Sequence, residues 1–221
     1  MHDRISLEKV QNLTLGDHIS CIYRSDDELF SFLIPFYISG LEQHNKCIFA
    51  LGDEPRGDVM SRYLAAGVDL TPHIEKKEFN FFDAKDLYLV DGHFHEDAVF
   101  TAIQKEEEHA LQEGYTGLRI NGDGMWLGSH VSELSTFLKY EAKVSGFLEG
   151  HSVIGACLYK ESIFDKHVLV DVLRTHSHVY LYDRLLDNKY FSATDNFIPQ
   201  RDLQSSVFDY DRMIASLLSL P

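Results

Sequence analysis

Val153-Ile-Gly-Ala-Cys-Leu-Tyr159 decides the fold. A run without apolar–polar alternation has no face to offer water, so as a strand it is buried on both sides. Strands of that kind belong to parallel sheets covered by helices on each face. The chain on either side repeats the theme. Strands are predicted at His18-Ile-Ser-Cys-Ile-Tyr23 and Cys47-Ile-Phe-Ala-Leu51. Others fall near Phe79-Asn-Phe-Phe82, at Leu118-Arg-Ile-Asn121 and from Val179 to Tyr182. Helical periods separate them. Ser25-Asp-Asp-Glu28 fits a capping box before Leu29, Phe32, Leu33, Phe36, Tyr37 and Leu41, the spacing of an amphipathic helix on a sheet. Pro35 should kink that helix, and Gly40 lies near its end. Pro55 and Gly67 frame a second helix, Asp97 to Glu113 a third closed by Gly114, and Ser129 to Leu148 a fourth. Ser162 is expected to cap the next, and Val207 to Leu220 to form a terminal helix. The fold class is therefore α/β: a three-layer, doubly wound, mainly parallel sheet.

Composition excludes several functions. Asp plus Glu is 35 against 20 Lys plus Arg, a net charge of −15. Nucleic acid and anionic membrane both need clustered cations that this chain lacks. With 44% hydrophobic and 12% aromatic residues the chain is not disordered. No apolar run reaches membrane-span length and the first residues have no apolar signal core, so a cytoplasmic protein is expected. Cys21, Cys47 and Cys157 form no Cys-x-x-Cys pair and read as buried, reduced side chains.

Open α/β sheets bind ligands beyond the carboxyl ends of their strands. That rule selects Tyr23-Arg-Ser25, Gly52-Asp-Glu54, Asn121 to Trp126 and Tyr159-Lys-Glu161 as pocket walls. No glycine is followed by lysine, so a Walker A loop is absent. Gly122, Gly124 and Gly128 are spaced one residue too long for the dinucleotide fingerprint. There is no Gly-x-Ser-x-Gly elbow, and Glu106-Glu-Glu108 reads as a solvated helix face. His93-x-His95 lies in a polar loop. His176-x-His178 follows a helix end, where a histidine can serve the last carbonyls without any ligand. No set of four zinc ligands stands out, and no metal or cofactor is expected. Arg119, between Leu118 and Ile120, needs a carboxylate or a ligand to be tolerated in a core. Glu141 is a candidate partner, which makes an internal ion pair the rival of ligand binding.

Gly16-Asp-His-Ile-Ser-Cys-Ile-Tyr23 and Asp26-Asp-Glu-Leu, before a helix ending Ser39-Gly-Leu-Glu42, resemble the opening of the MEDS domain. This is the methanogen/methylotroph sensory domain of DcmR-type regulators. Gly117-Leu-Arg-Ile-Asn-Gly-Asp-Gly-Met-Trp126, Tyr140-Glu-Ala-Lys143, Cys157-Leu-Tyr-Lys160, Leu173-Arg-Thr-His176 and Asn188-Lys-Tyr-Phe191 continue the likeness in order. The resemblance implies a RecA/KaiC-like core without a working phosphate loop. It further implies a sensory module for small hydrocarbon derivatives, coupled to kinases or transcription regulators. It sets the family's histidine and cysteine on His18 and Cys21. Side chains alternate along a strand, so these two share a site only through a bulge, or if His18 precedes the strand proper.

The expected organisation is an N-terminal segment (1–14), a sensory domain (15–191) and a C-terminal extension (192–221). The extension is too short for a helix-turn-helix domain or a kinase core, so output would pass through a separate protein or through homo-oligomerisation. The expected function is non-catalytic binding of a small organic ligand. The candidate binding residues are His18, Cys21, Tyr23, Arg119, Trp126, Tyr140, Glu141 and His176. A degenerate nucleotide binder and, behind it, a metal-dependent enzyme are the alternatives.

Overall fold

Ser25 starts the first helix as its spacing requires: its Oγ accepts the Glu28 amide at 3.2 Å. Glu28 in turn accepts the Arg24 amide at 2.7 Å and the Arg24 guanidinium. Burial alone would raise the Glu28 carboxyl, but Arg24 outweighs it and holds it below the usual range. The computed structural model describes residues 9–52, 54–129, 131–192, 197–199 and 203–219. Asp53, the N-terminal segment through Glu8, and Leu220 lie outside them.

The central sheet contains β1 (His18–Tyr23), β2 (Lys46–Leu51), β3 (Phe79–Asp83), β6 (Leu118–Asp123), β7 (Val153–Lys160), β8 (His178–Leu181) and β9 (Arg184–Asp187). A separate hairpin pairs β4 (Leu89–Val90) with β5 (His93–Phe94). The sheet order is β3-β2-β6-β7-β1-β8-β9. Every neighbour is parallel except β9, which returns antiparallel to β8 at the edge. β7, the run that decided the fold, sits between β6 and β1 near the middle.

Helices cover both faces. On one side α1 (Asp26–Glu42), α2 (Arg56–Ala65) and α3 (Thr71–Glu75) enclose Phe32, Leu33, Phe36, Tyr37, Val59 and Tyr63. On the other lie α4 (Ala84–Tyr88), α5 (Glu96–Gln112), α6 (Leu134–Leu148), α7 (Lys166–Thr175) and α8 (Leu203–Leu218). Their core includes Val99, Phe137, Tyr140, Leu169, Tyr210 and Leu217. The terminal helix thus shares the core of the domain that precedes it. Gly67 and Gly114 take φ of +85° and +93°, the left-handed stops expected of them.

Pro35 lies inside α1, which continues to Glu42. Some expectations change. α7 begins at Lys166 after Asp165, so Ser162 lies in the preceding turn and caps nothing. Two 3-10 turns, Met125–Ser129 and Val131–Glu133, intervene before α6. Arg119 and Glu141 face opposite layers. Arg119 instead donates to Asn45 Oδ1 (2.9 Å), the Phe36 carbonyl (2.8 Å) and Gln43 Oε1 (2.9 Å). Neutral acceptors satisfy its donors without a carboxylate, and burial lowers its pKa to about 10.

Candidate functional site

The carboxyl ends of β1, β2, β6 and β7 open on a cleft of about 270 Å³. Tyr23, Leu29, Leu33, Phe49 and Leu158 supply apolar wall; Asp26, Glu54, Asp123 and Lys160 supply charge. Lys160 Nζ lies 3.2 Å from Asp26 Oδ1. Glycine is needed at position 52: a Cβ there would stand 2.1 Å from Asp123 Oδ2. Asp123 Oδ1 also accepts the Met125 amide at 2.7 Å. Burial, then the Asp26 charge, raises the Glu54 carboxyl, and burial raises the Tyr23 phenol.

Three carboxylates outnumber the two cations at this rim, Lys160 and Arg62, whose Nη2 lies 3.8 Å from Asp26 Oδ2, a balance that disfavours phosphate and suits a neutral or cationic molecule.

The eight candidate residues do not form one site. Tyr23 lines the cleft. Arg119 and Cys21 are buried on the α1 side of the sheet, away from the rim. Trp126 turns inward, stacked on Tyr88 (5.4 Å, 27°) and Phe94 (5.7 Å, 22°), and Met125 takes its place at the cleft. Tyr140 joins that aromatic cluster, edge-on to Phe94 at 5.3 Å. The tryptophan's apolar area, rather than any ligand, accounts for its inward turn.

His18, Glu141 and His176 do meet, and Cys157 completes the group. Strand alternation sends Ile19, Cys21 and Tyr23 toward α1, and His18 toward α6 and β7. His18 Nε2 lies 3.4 Å from Cys157 Sγ and 3.6 Å from Glu141 Oε2. His176 Nε2 lies 3.2 Å from the same Glu141 oxygen, and the two imidazole centroids are 3.9 Å apart. One donor atom from each of the four lies within 4.8 Å of every other. His18, Glu141 and His176 are at most 1% exposed. Cys157 borders a cavity of about 30 Å³ between His18, Tyr88 and Tyr140, roomy enough for roughly two waters.

Hydrogen bonds fix both imidazoles. His176 Nδ1 stands 2.8 Å from the Val172 carbonyl, which only accepts, so Nδ1 carries the proton. That is the helix-end role expected of this residue, but it leaves Nε2 aimed at Glu141. Ser145 donates to the Thr175 carbonyl at 3.0 Å, so its oxygen accepts from His18 Nδ1 at 3.0 Å. His18 Nε2 is then also a lone pair. The Cys157 thiol is the hydrogen-bond donor that reaches Glu141, no N–H or O–H donates to either Glu141 oxygen, and the Tyr159 hydroxyl has no hydrogen-bond partner. Burial, then the neighbouring His176, keeps His18 well below the ordinary histidine pKa. Burial and the Glu141 charge raise the Cys157 thiol.

The sequence showed no obvious zinc-type ligand set, and the fold brings one such group of donors together. The four donor groups come from β1, α6, β7 and the residue after α7, so no sequence spacing announces them. The histidine's cysteine neighbour is Cys157 of the adjacent strand, not Cys21.

A mostly parallel sheet flanked by helices, with a cleft at its carboxyl rim and an ionisable cluster buried beneath, defines a three-layer α/β domain. A family model, the methanogen/methylotroph, DcmR sensory domain, matches residues 17–177. The chain belongs to this MEDS family, which is a family of sensory domains. No curated protein matches the chain. Among the described residues no helix is long and apolar enough to cross a membrane.

Proposed function

We propose that this chain is a non-catalytic, cytoplasmic signal-input domain that takes a small neutral or cationic organic molecule into the rim cleft. Its occupancy would be reported to a separate kinase or regulator, or through self-association. The observation that carries this reading is the cleft itself, where apolar walls from β1, β2, β7 and α1 meet Asp26, Glu54 and Asp123. A short apolar body with one polar or positive end fits such a lining. The sensory family of the chain agrees with it. So does the loop after β1: in a RecA/KaiC-like core it would grip phosphate, yet here it offers Asp26 and Asp27 in the first turn of α1. Carboxylates placed there repel a triphosphate.

Thermal unfolding with a panel of short alcohols, methylated amines, halogenated one-carbon compounds and ATP with magnesium tests the proposal. Ligand at about a hundred times its Kd stabilises the folded state by about 2.7 kcal/mol, a shift of a few degrees. Stabilisation by one of the small organic compounds is expected. Stabilisation by ATP with magnesium alone, or steady ATP hydrolysis, would overturn it.

A further inference from the structure

We propose that His18, Glu141, Cys157 and His176 form a closed site for one divalent transition-metal ion of the zinc class. Two imidazole lone pairs and a carboxylate, with the Cys157 thiol as the one donor among them, point into one enclosed space. Like-polarity groups so arranged repel one another unless a cation lies among them, and an uncompensated buried charge is costly. Zinc bond lengths place the ligand atoms of a tetrahedral site roughly 3.3–3.6 Å apart. Three of the six separations, 3.2, 3.4 and 3.6 Å, sit near that spacing, and all six lie within 4.8 Å, so an ion would draw the side chains inward around it.

Charge and chemistry select the ion. Carboxylate plus thiolate balances a divalent cation, leaving a neutral centre inside the protein. Two nitrogens, a sulfur and one oxygen suit zinc-class metals, whereas calcium and magnesium ask for oxygen alone. On binding, both imidazoles are already in the ligating tautomer. Only the Cys157 thiol changes: its S–H bond breaks, a sulfur–metal bond forms and one proton leaves to solvent. Ser145 and the Val172 carbonyl hold the rings from behind, as the supporting partners of metal-bound histidines do. With four protein ligands the site is a staple and not a catalytic centre. It ties β1 and β7 to α6 and to the start of β8, beneath the rim cleft and independently of what fills it.

Chelator-stripped protein titrated with cobalt(II) gives the test. About one cobalt per chain should bind, with the strong visible bands of a tetrahedral ion and a thiolate-to-cobalt charge-transfer band in the near ultraviolet. Cys157→Ser should abolish the charge-transfer band, and Cys47→Ser should leave it intact. Ser145→Ala should weaken binding roughly tenfold to a hundredfold. Zinc should raise, and chelator lower, the unfolding temperature of the unaltered protein, a readout that survives if a variant does not fold. A folded chain that takes up no cobalt, or a charge-transfer band that Cys157→Ser leaves unchanged, overturns the proposal. So does Glu141→Gln raising the stability of the stripped protein with no metal uptake by the original, since the cluster is then a protonated histidine–carboxylate pair.

Discussion

The hydroxyl of Tyr88 occupies the space where residue 122 would carry a side chain: a Cβ on Gly122 would lie 2.0 Å from it. Tyr88, at the end of α4, thereby reaches β6 and packs against Trp126, Phe137 and Tyr140. Gly122 is thus required by packing and not by phosphate. Gly122→Ala should cost about 1–3 kcal/mol, the usual penalty for overfilling a packed core. Tyr88→Phe removes the opposing oxygen, so the double variant should be more stable than the two single losses predict. Urea unfolding of the four proteins measures this. Strict additivity would show that the two residues do not compete for the same space.

Arg119 is fully buried, and its donors go to Asn45, Gln43 and a backbone carbonyl. Gly40 makes room for it, since a Cβ there would lie 2.5 Å from Arg119 Cδ. Arg119→Met orphans three acceptors and should cost about 3 kcal/mol or more. Arg119→Lys should also destabilise, because an ammonium cannot reproduce the planar fork. Ligand affinity at the rim should be unaffected in whatever fraction remains folded. Loss of binding at unchanged stability would instead make Arg119 a binding residue.

What could be read from the sequence followed from local patterns. β7 declared itself by its unbroken apolar run, α1 by Ser25 and Glu28, and the missing phosphate loop by the absence of Gly-Lys. The sheet edge did not: Arg184-Leu-Leu-Asp187 is too short and mixed to signal a strand, and becomes one only beside β8. Nor did the side of the sheet that each site residue faces. Arg119 and Glu141 looked like partners because both are charges in apolar surroundings, yet the sheet stands between them. The buried cluster was half visible. His18 and the helix-end His176 stood out, but Cys157 was masked by the apolar run that revealed the fold. Joining them requires knowing that β1 pairs with β7, setting Ser20 beside Cys157. A long-range pairing of that kind leaves no mark on local spacing.

Stability should fall steeply in alkali. Burial first, and mutual proximity second, holds the Tyr37 phenol well above its ordinary value; Tyr63 is raised by burial and by Cys47. Above the unfolded-state value of about 10, the unfolded chain loses these protons while the folded one keeps them, so stability drops about 1.4 kcal/mol per pH unit for each group. Below that value the contribution is fully present. Arg119, lowered to about 10, works in the opposite sense but is a single group. Unfolding followed by circular dichroism should coincide with cooperative tyrosinate absorbance, and Tyr37→Phe should make the decline shallower. Gradual tyrosine ionisation while the protein stays folded would contradict the burial argument.

Glu54 offers the sharpest check on the rim. Its carboxyl is raised by burial and by Asp26, so it holds its proton to a higher pH than an ordinary glutamate does. A cationic guest favours the charged carboxylate, and methylammonium binding should therefore expel that proton. Affinity should rise as pH climbs through the Glu54 titration and level off above it, while a neutral alcohol should show no such slope. Removing the charge with Glu54→Gln should flatten the profile and weaken methylammonium binding about tenfold, the worth of one charge-assisted contact of about 1.4 kcal/mol. Calorimetry in buffers of different ionisation enthalpy counts the released proton directly. Cation binding that is independent of pH and indifferent to Glu54→Gln would move the guest elsewhere on the molecule.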